Sequence, residues 1–284
     1  MEHVRRSQLA LSNFPYTKYS LDWTLDSLER LGGHRIEFYA AHPHFALVDA
    51  TPARIKALAH MIRKHDLHVV DFCPENCSYP LNAASADPDV ARRTIDEYVR
   101  GIQTASELEC PYCLFFPGIP LKDEDLDEVW DHGVAAFRYL ADFAEPYGVT
   151  LLLESTKVTS SILCSTKRQL EFMREVGPAN VDCMIDTTNC LGIKESLDEV
   201  YDQLTIEHIK HVHFKDVKGT PDSFSVCVPG EGFMDLEGLV RRFDADGYDG
   251  YFGCEVIKPY YYEPEKAMVA FRDWFDALDP VMDY

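Results

Sequence analysis

The sequence predicts an α/β protein, a single (β/α)₈ barrel occupying residues 1–284. Three observations predict it. Short runs of β-branched and aromatic residues alternate eight times with longer stretches of helical periodicity, the pattern of βα units around a parallel sheet. The 284 residues contain no Ser- or Gly-rich linker, low-complexity block or composition break that would divide them, and barrels of this kind reach about 250 residues as one unit. Four of the strand runs finish in a carboxylate or an imidazole, at the end of the strand where a barrel collects its chemistry.

In chain order, the first strand is expected at Gln8–Ser12 and the first helix at Leu21–Leu31, capped by Ser20 and stopped by Gly32-Gly33. Strand Arg35–Ala40 is followed by helix Pro52–His65, with Pro52 suited to the first turn because that position needs no amide donor. Strand His68–Cys73 leads to helix Pro88–Leu108, and strand Tyr112–Phe116 to helix Leu126–Tyr147. The acidic run Asp123–Asp131 reads as the solvated start of that fourth helix, where carboxylates complement the helix dipole. The second half repeats the alternation: strand Thr150–Glu154, helix Lys167–Val176, strand Asp182–Asp186, helix Leu197–Leu204, strand His208–His213, helix Leu236–Asp246, strand Tyr251–Glu255 and helix Pro264–Leu278.

A hydrophobic fraction of 46%, with 16 Phe and 15 Tyr, supplies the apolar area a closed core needs. Acidic residues outnumber basic ones 48 to 27, giving a net charge of −21, and such a field repels nucleic acid and anionic membranes. No apolar run approaches the roughly 18 residues of a membrane span. Met1–Gln8 has two arginines but no apolar stretch behind them, so no secretory signal is read and a cytoplasmic location is expected. In that reducing setting, nine cysteines, an odd number, fit buried thiols rather than disulfides. Cys110-Pro111-Tyr112-Cys113 has redox-motif spacing but precedes a strand instead of opening a helix, and reads as coincidence.

The chemistry is expected at four strand ends: Leu151-Leu152-Leu153-Glu154, Cys183-Met184-Ile185-Asp186, His211-Val212-His213 and Phe252-Gly253-Cys254-Glu255. A carboxylate after three apolar residues is costly when buried alone, and three of them with an imidazole on neighbouring strands call for a counter-charge. One divalent metal ion meets that need, and three oxygen donors with one nitrogen suit Mn²⁺, placed first, or Mg²⁺, Co²⁺ or Zn²⁺. His211 shares the face of His213 but lies deeper and reads as structural or supporting. Glu37, inside the second strand, reads as one half of a structural ion pair. Cys183, Cys190 and Cys254 read as small apolar fillers.

In this order and spacing the chain resembles the sugar isomerase and epimerase family with the xylose-isomerase-like TIM barrel, in its ketose 3-epimerase and fructoselysine 3-epimerase branch. The carriers are Leu151–Glu154, Ile185-Asp186, His211-Val212-His213-Phe214-Lys215-Asp216, Pro229-Gly230-Glu231-Gly232 and Gly247-Tyr248-Asp249-Gly250-Tyr251, together with Pro74-Glu75-Asn76-Cys77-Ser78-Tyr79-Pro80-Leu81-Asn82. The resemblance implies a metal holding two adjacent oxygens of a ketose or ketosamine, with Glu154 and Glu255 on opposite faces of the sugar, each both ligand and acid/base. The chemistry agrees with that: removing a proton next to a carbonyl needs an enediolate to be stabilised, and inversion needs a second carboxyl to return the proton from the other side.

Two departures from the family stand out. Asn189 occupies the place three residues after the metal Asp where ketose 3-epimerases commonly have His, and Thr159 or Ser160 lies where a second glutamate is often found. Substrate contacts must therefore differ. His42 and His44, Asn189 and the glycine-flanked Glu231 are the candidate substrate-binding residues. Tyr260-Tyr261-Tyr262 is suited to wall the pocket or a subunit interface.

The expected partner is a small carbohydrate, with homo-oligomerisation left open. A lyase resembling the α subunits of C-glycoside deglycosidases, which act on 3-keto glycosides with a small β-sandwich partner subunit, stays as the alternative. A non-enzymatic sugar-binding barrel is the second alternative. A nuclease of the endonuclease IV kind is disfavoured by the acidic charge and the absent Asp-x-x-His pair.

Overall fold

A computed structural model describes residues 1–76, 81–156 and 162–283. Eight parallel strands close into a barrel: β1 (Leu9–Ser12), β2 (Arg35–Ala40), β3 (His68–Pro74), β4 (Tyr112–Leu114), β5 (Thr150–Leu153), β6 (Val181–Asp186), β7 (Ile209–Phe214) and β10 (Tyr251–Cys254). Between β7 and β10 lies an antiparallel pair outside the barrel, β8 (Asp216–Thr220) and β9 (Ser223–Cys227). The barrel closes where Leu9 and Ala10 pair with Phe252 and Gly253. Nine α-helices are described: α1 (Leu21–Arg30), α2 (Pro52–Lys64), α3 (Pro88–Glu107), α4 (Leu126–Ala144), α5 (Thr166–Val176), α6 (Thr187–Ile193), α7 (Leu197–Leu204), α8 (Leu236–Asp246) and α9 (Pro264–Asp276). Among the described residues no helix is long and apolar enough to cross a membrane.

Helix entry is set locally. Ser20, Thr51, Asp87, Asp125, Ser165, Asp186, Ser196 and Asp235 each accept an amide hydrogen of the first turn, satisfying donors that the helix itself leaves orphaned. The expected eight βα units are present with ends displaced by a few residues. β4 stops at Leu114 rather than Phe116, because the Phe116 amide turns to the Asn76 side chain at 3.1 Å and Pro117 has no amide to offer. α6 and the β8–β9 hairpin are additions to the expected order.

Strand alternation sorts the side chains. Leu9, Leu11, Ile36, Phe38, Phe72, Cys113, Leu151, Leu153, Cys183, Ile185, Phe214 and Phe252 belong to the large core between sheet and helices. Their neighbours face the lumen, and the lumen is asymmetric. Cys73, Leu114, Phe116, Leu152 and Met184 form a small separate apolar cluster there, whereas Glu37, Asp71 and His211 supply buried polar groups from β2, β3 and β7.

Candidate active site

The alternation that points Leu152 and Met184 into the lumen brings Glu154 and Asp186, two residues further along, to its C-terminal mouth. The register places Asp186 opposite His213 and His213 opposite Gly253, so β6, β7 and β10 deliver their polar ends side by side. Donor atoms of Glu154, Asp186 and His213 lie within 4.8 Å of one another, and all three residues are buried. Glu255 joins them from the end of β10, with one carboxylate oxygen 3.1 Å from His213 Nδ1; Asp186 Oδ2 is 4.0 Å from the same nitrogen. The four side chains singled out at the strand ends therefore converge.

Asp186 Oδ1 caps α6, accepting from the Thr188 and Asn189 amides at 2.8 and 2.9 Å and from the Thr188 hydroxyl at 2.9 Å, while Oδ2 faces the Lys215 ammonium. Glu154 Oε1 accepts from Asn189 Nδ2 at 3.0 Å. Neither nitrogen of the buried His213 ring makes a hydrogen bond of sound geometry, although carboxylates lie close to both. Three carboxylates and a buried imidazole whose nitrogens lack hydrogen bonds of sound geometry, all facing one point, are the donor set a divalent cation requires, so the residues present fit a metal.

A cation of the protein's own already reaches this point. Lys215 continues the alternation from His211 and His213, and its Nζ bridges Glu255, at 2.6 Å, and Asp186. Sequence reasoning gave Lys215 no role, although its two-residue spacing from His213 was the available signal.

The carboxyls are driven apart in acidity. Burial, then the charge of Asp186, pushes Glu154 up to about 8. Burial alone would raise Glu255 too, but Lys215 and His213 outweigh it and hold Glu255 well below the usual carboxylate range. Burial disfavours a charged His213, yet Glu37 and Glu255 on either side keep the imidazolium well above the ordinary histidine range. One carboxyl is thus a proton holder and the other an ionised acceptor at neutral pH.

Beneath the cluster, Glu37 Oε2 lies 2.7 Å from His211 Nε2 and 2.8 Å from His213 Nε2. The ion pair expected of Glu37 is therefore with the two β7 histidines. Asp71 is buried next to them, with neither carboxylate oxygen hydrogen-bonded, and burial raises it to about 6.

The expected substrate-binding residues part ways. Asn189 stands in the cluster, against Glu154. The exposed His42 pairs with Asp49 at 3.1 Å. His44 is buried in the wall, its Nδ1 against Asn13 Nδ2 at 2.8 Å and its Nε2 against the Tyr19 carbonyl and the Thr24 hydroxyl, which engages both ring nitrogens. Glu231 pairs with Lys218 of β8 at 2.7 Å, and both are about half exposed. Its loop is pinned by the buried Asp216, which accepts from the amides of Val217, Gly230, Gly232 and Met234 at 2.8 to 3.1 Å. Gly232 is required there, since a Cβ would lie 2.2 Å from Asp216 Oδ1. Thr159, Ser160 and Cys77-Ser78-Tyr79-Pro80 lie outside the described residues.

Comparison with known proteins agrees with this architecture. Residues 25–278 match the family model of the xylose isomerase-like TIM barrel. Fructoselysine 3-epimerase of Shigella flexneri is 26% identical over 251 residues, covering 88% of this chain and 90% of that protein. Two solved structures superpose with a TM-score of 0.77 at 19% identity: L-ribulose 3-epimerase, covering 98% of this chain and 94% of that one, and the IOLI protein with a bound zinc atom, covering 95% and 97%. At that identity the superpositions show the fold.

Proposed function

The chain belongs to the xylose isomerase-like TIM barrel family, and from that premise we propose that it is a sugar isomerase or epimerase. In this reading it moves a proton on the carbon next to the carbonyl of a ketose or ketosamine. Glu154, Asp186, His213 and Glu255 would hold one divalent cation. The observation that carries the reading is the convergence of three carboxylates and an imidazole at one mouth, two of the carboxyls held in opposite protonation states.

When bound, the cation supplies Lewis-acid polarisation of the substrate oxygens, and the donor set suits Mn²⁺, Mg²⁺, Co²⁺ or Zn²⁺. Everything else falls to side chains. Glu255, ionised beside Lys215 and His213, is the group equipped to take the C–H proton. Glu154, whose pKa burial and Asp186 raise to about 8 in the metal-free protein, is the more basic of the two carboxyls and so the better carrier of a proton to the opposite face. The Lys215 ammonium offers positive charge to the oxyanion that proton removal creates. Asn189, already donating to Glu154, orients that carboxyl, and its amide oxygen has the chemistry to accept from a substrate hydroxyl.

The test is solvent deuterium incorporation. Metal-loaded protein incubated in D₂O with candidate ketoses and a ketosamine such as fructoselysine should place deuterium at C2 or C3, with inversion for an epimerase. Glu255→Gln should lower exchange by about 10²- to 10⁴-fold while the fold persists. Unchanged exchange in that variant removes Glu255 from the reaction, and release of an aglycone from a 3-keto glycoside would favour the lyase instead.

A further inference from the structure

We infer that Glu37 is a positioning residue for the cation-holding mouth: its carboxylate, beside His213 Nε2, favours the ring proton on that nitrogen and thereby leaves the Nδ1 lone pair facing Asp186 and Glu255. The inference rests on the metal reading above and extends it to a residue on the far side of the barrel.

Three observations carry it. The first is the path of the ring. His213 Nε2 lies 2.8 Å from Glu37 Oε2, and Nδ1, on the opposite edge, is the nitrogen 3.1 Å from Glu255 and 4.0 Å from Asp186. A neutral imidazole carries one N–H and one lone pair, so fixing the proton on Nε2 leaves Nδ1 as the only donor atom. Histidine ligands are commonly fixed in this way by an outer carboxylate, which also raises the basicity of the ring.

The second observation is that Glu37 is itself immobilised. Oε2 also lies 2.7 Å from His211 Nε2, Oε1 accepts from the Ser12 hydroxyl at 3.4 Å, and the side chain has no solvent exposure to speak of. A carboxylate held from β1 and β7 has one orientation to offer.

The third is the gap it crosses. β1 and β10 stand between β2 and β7, and the lumen-facing residue of β10 at this level is Gly253, in register with His213. A Cβ at Gly253 would lie 2.7 Å from both Glu37 Oε2 and His211 Nε2. Only glycine lets the carboxylate reach the ring undisturbed.

The test uses the full chain, Zn²⁺ as the diamagnetic probe and ¹⁵N-labelled histidine. In the zinc-loaded wild type, long-range ¹H–¹⁵N spectra should show His213 protonated at Nε2 and metal-shifted at Nδ1. Glu37→Gln should weaken zinc binding 10- to 100-fold, as outer carboxylate losses do elsewhere. Gly253→Ala, which displaces the carboxylate without removing it, should shift affinity in the same direction. Zinc bound through Nε2 of His213, or a Glu37→Gln affinity within twofold of wild type, overturns the positioning role. So does a second zinc retained by wild type and lost in Glu37→Gln, since Glu37, Asp71 and His211 would then be ligands themselves. Failure of the wild type to take up any zinc, manganese or magnesium overturns the metal reading underneath, and is distinguishable from the other outcomes by stoichiometry alone.

Discussion

Filling this site with a cation should expel protons, and the number can be worked out. In the metal-free protein Glu154 titrates at about 8, so at pH 7 about nine-tenths of the molecules hold its proton. His213, kept charged by Glu37 and Glu255, holds a further proton on Nδ1. Both must leave before these atoms can donate electron pairs to a metal. Lys215, which burial alone would lower but which Asp186, Glu255 and Glu154 hold well above the usual lysine range, keeps its proton and is displaced as an ammonium.

The expected release is therefore about two protons per cation at pH 7, falling toward about one as the pH passes 8 and Glu154 is already ionised. Stability has the same sign. The native fold keeps the Glu154 proton that an unfolded chain gives up above about 4.5, so metal-free stability falls as pH rises from there to about 8 and is level beyond. Calorimetric titration of Mn²⁺ or Zn²⁺ into metal-free protein, repeated in buffers of different ionisation enthalpy, counts the protons directly. Glu154→Gln should subtract about one. A wild-type release below about half a proton at pH 7, or one that grows between pH 7 and 9, would refute the assignment of Glu154 as the proton holder.

Two more outcomes follow from the same geometry. Lys215→Met removes the ammonium that competes for Asp186 and Glu255; at an effective dielectric near 20, like charges about 4 Å apart repel by about 4 kcal/mol, so cation affinity should tighten at least tenfold, and an unchanged or weaker Kd would show that Lys215 does not compete. The metal-free form of that variant should lose about 3 kcal/mol in urea unfolding, because two acidic side chains lose their partner. Asp216→Ala strips the acceptor from four loop amides and should cost about 2–3 kcal/mol by the same measurement, with a loss under 1 kcal/mol meaning that water replaces the carboxylate.

The parts of this protein that were legible in its sequence are those set by local periodicity. Leu151–Glu154 and Phe252–Glu255 show an apolar strand and its polar tip within four residues, and nothing distant is needed to read them. α6 was not legible: seven residues opening on Thr187-Thr188-Asn189 have weak helix propensity, and Asp186, its cap, already had a stronger reading as a ligand. The hairpin after β7 left only a Thr220-Pro221-Asp222-Ser223 turn as its mark. His44 could not be placed because what engages its ring, Asn13, Tyr19 and Thr24, precedes it by 20 to 31 residues. The Glu37 contacts were beyond reach for a topological reason: strands 174 residues apart in sequence face each other only once the barrel has closed.

The unequal filling of the lumen bears on how this protein tolerates change. In a barrel stacked with aliphatic layers, the interior is itself a source of hydrophobic stabilisation. Here one side of that volume is given to charged groups whose desolvation opposes folding, so cohesion must reside in the sleeve where Phe38, Phe72, Phe214 and Phe252 meet the helices. Stabilising substitutions belong on that sleeve, remote from the mouth. The lumen tolerates only exchanges that leave each buried charge partnered, so altered specificity is best sought at mouth residues outside its ion pairs.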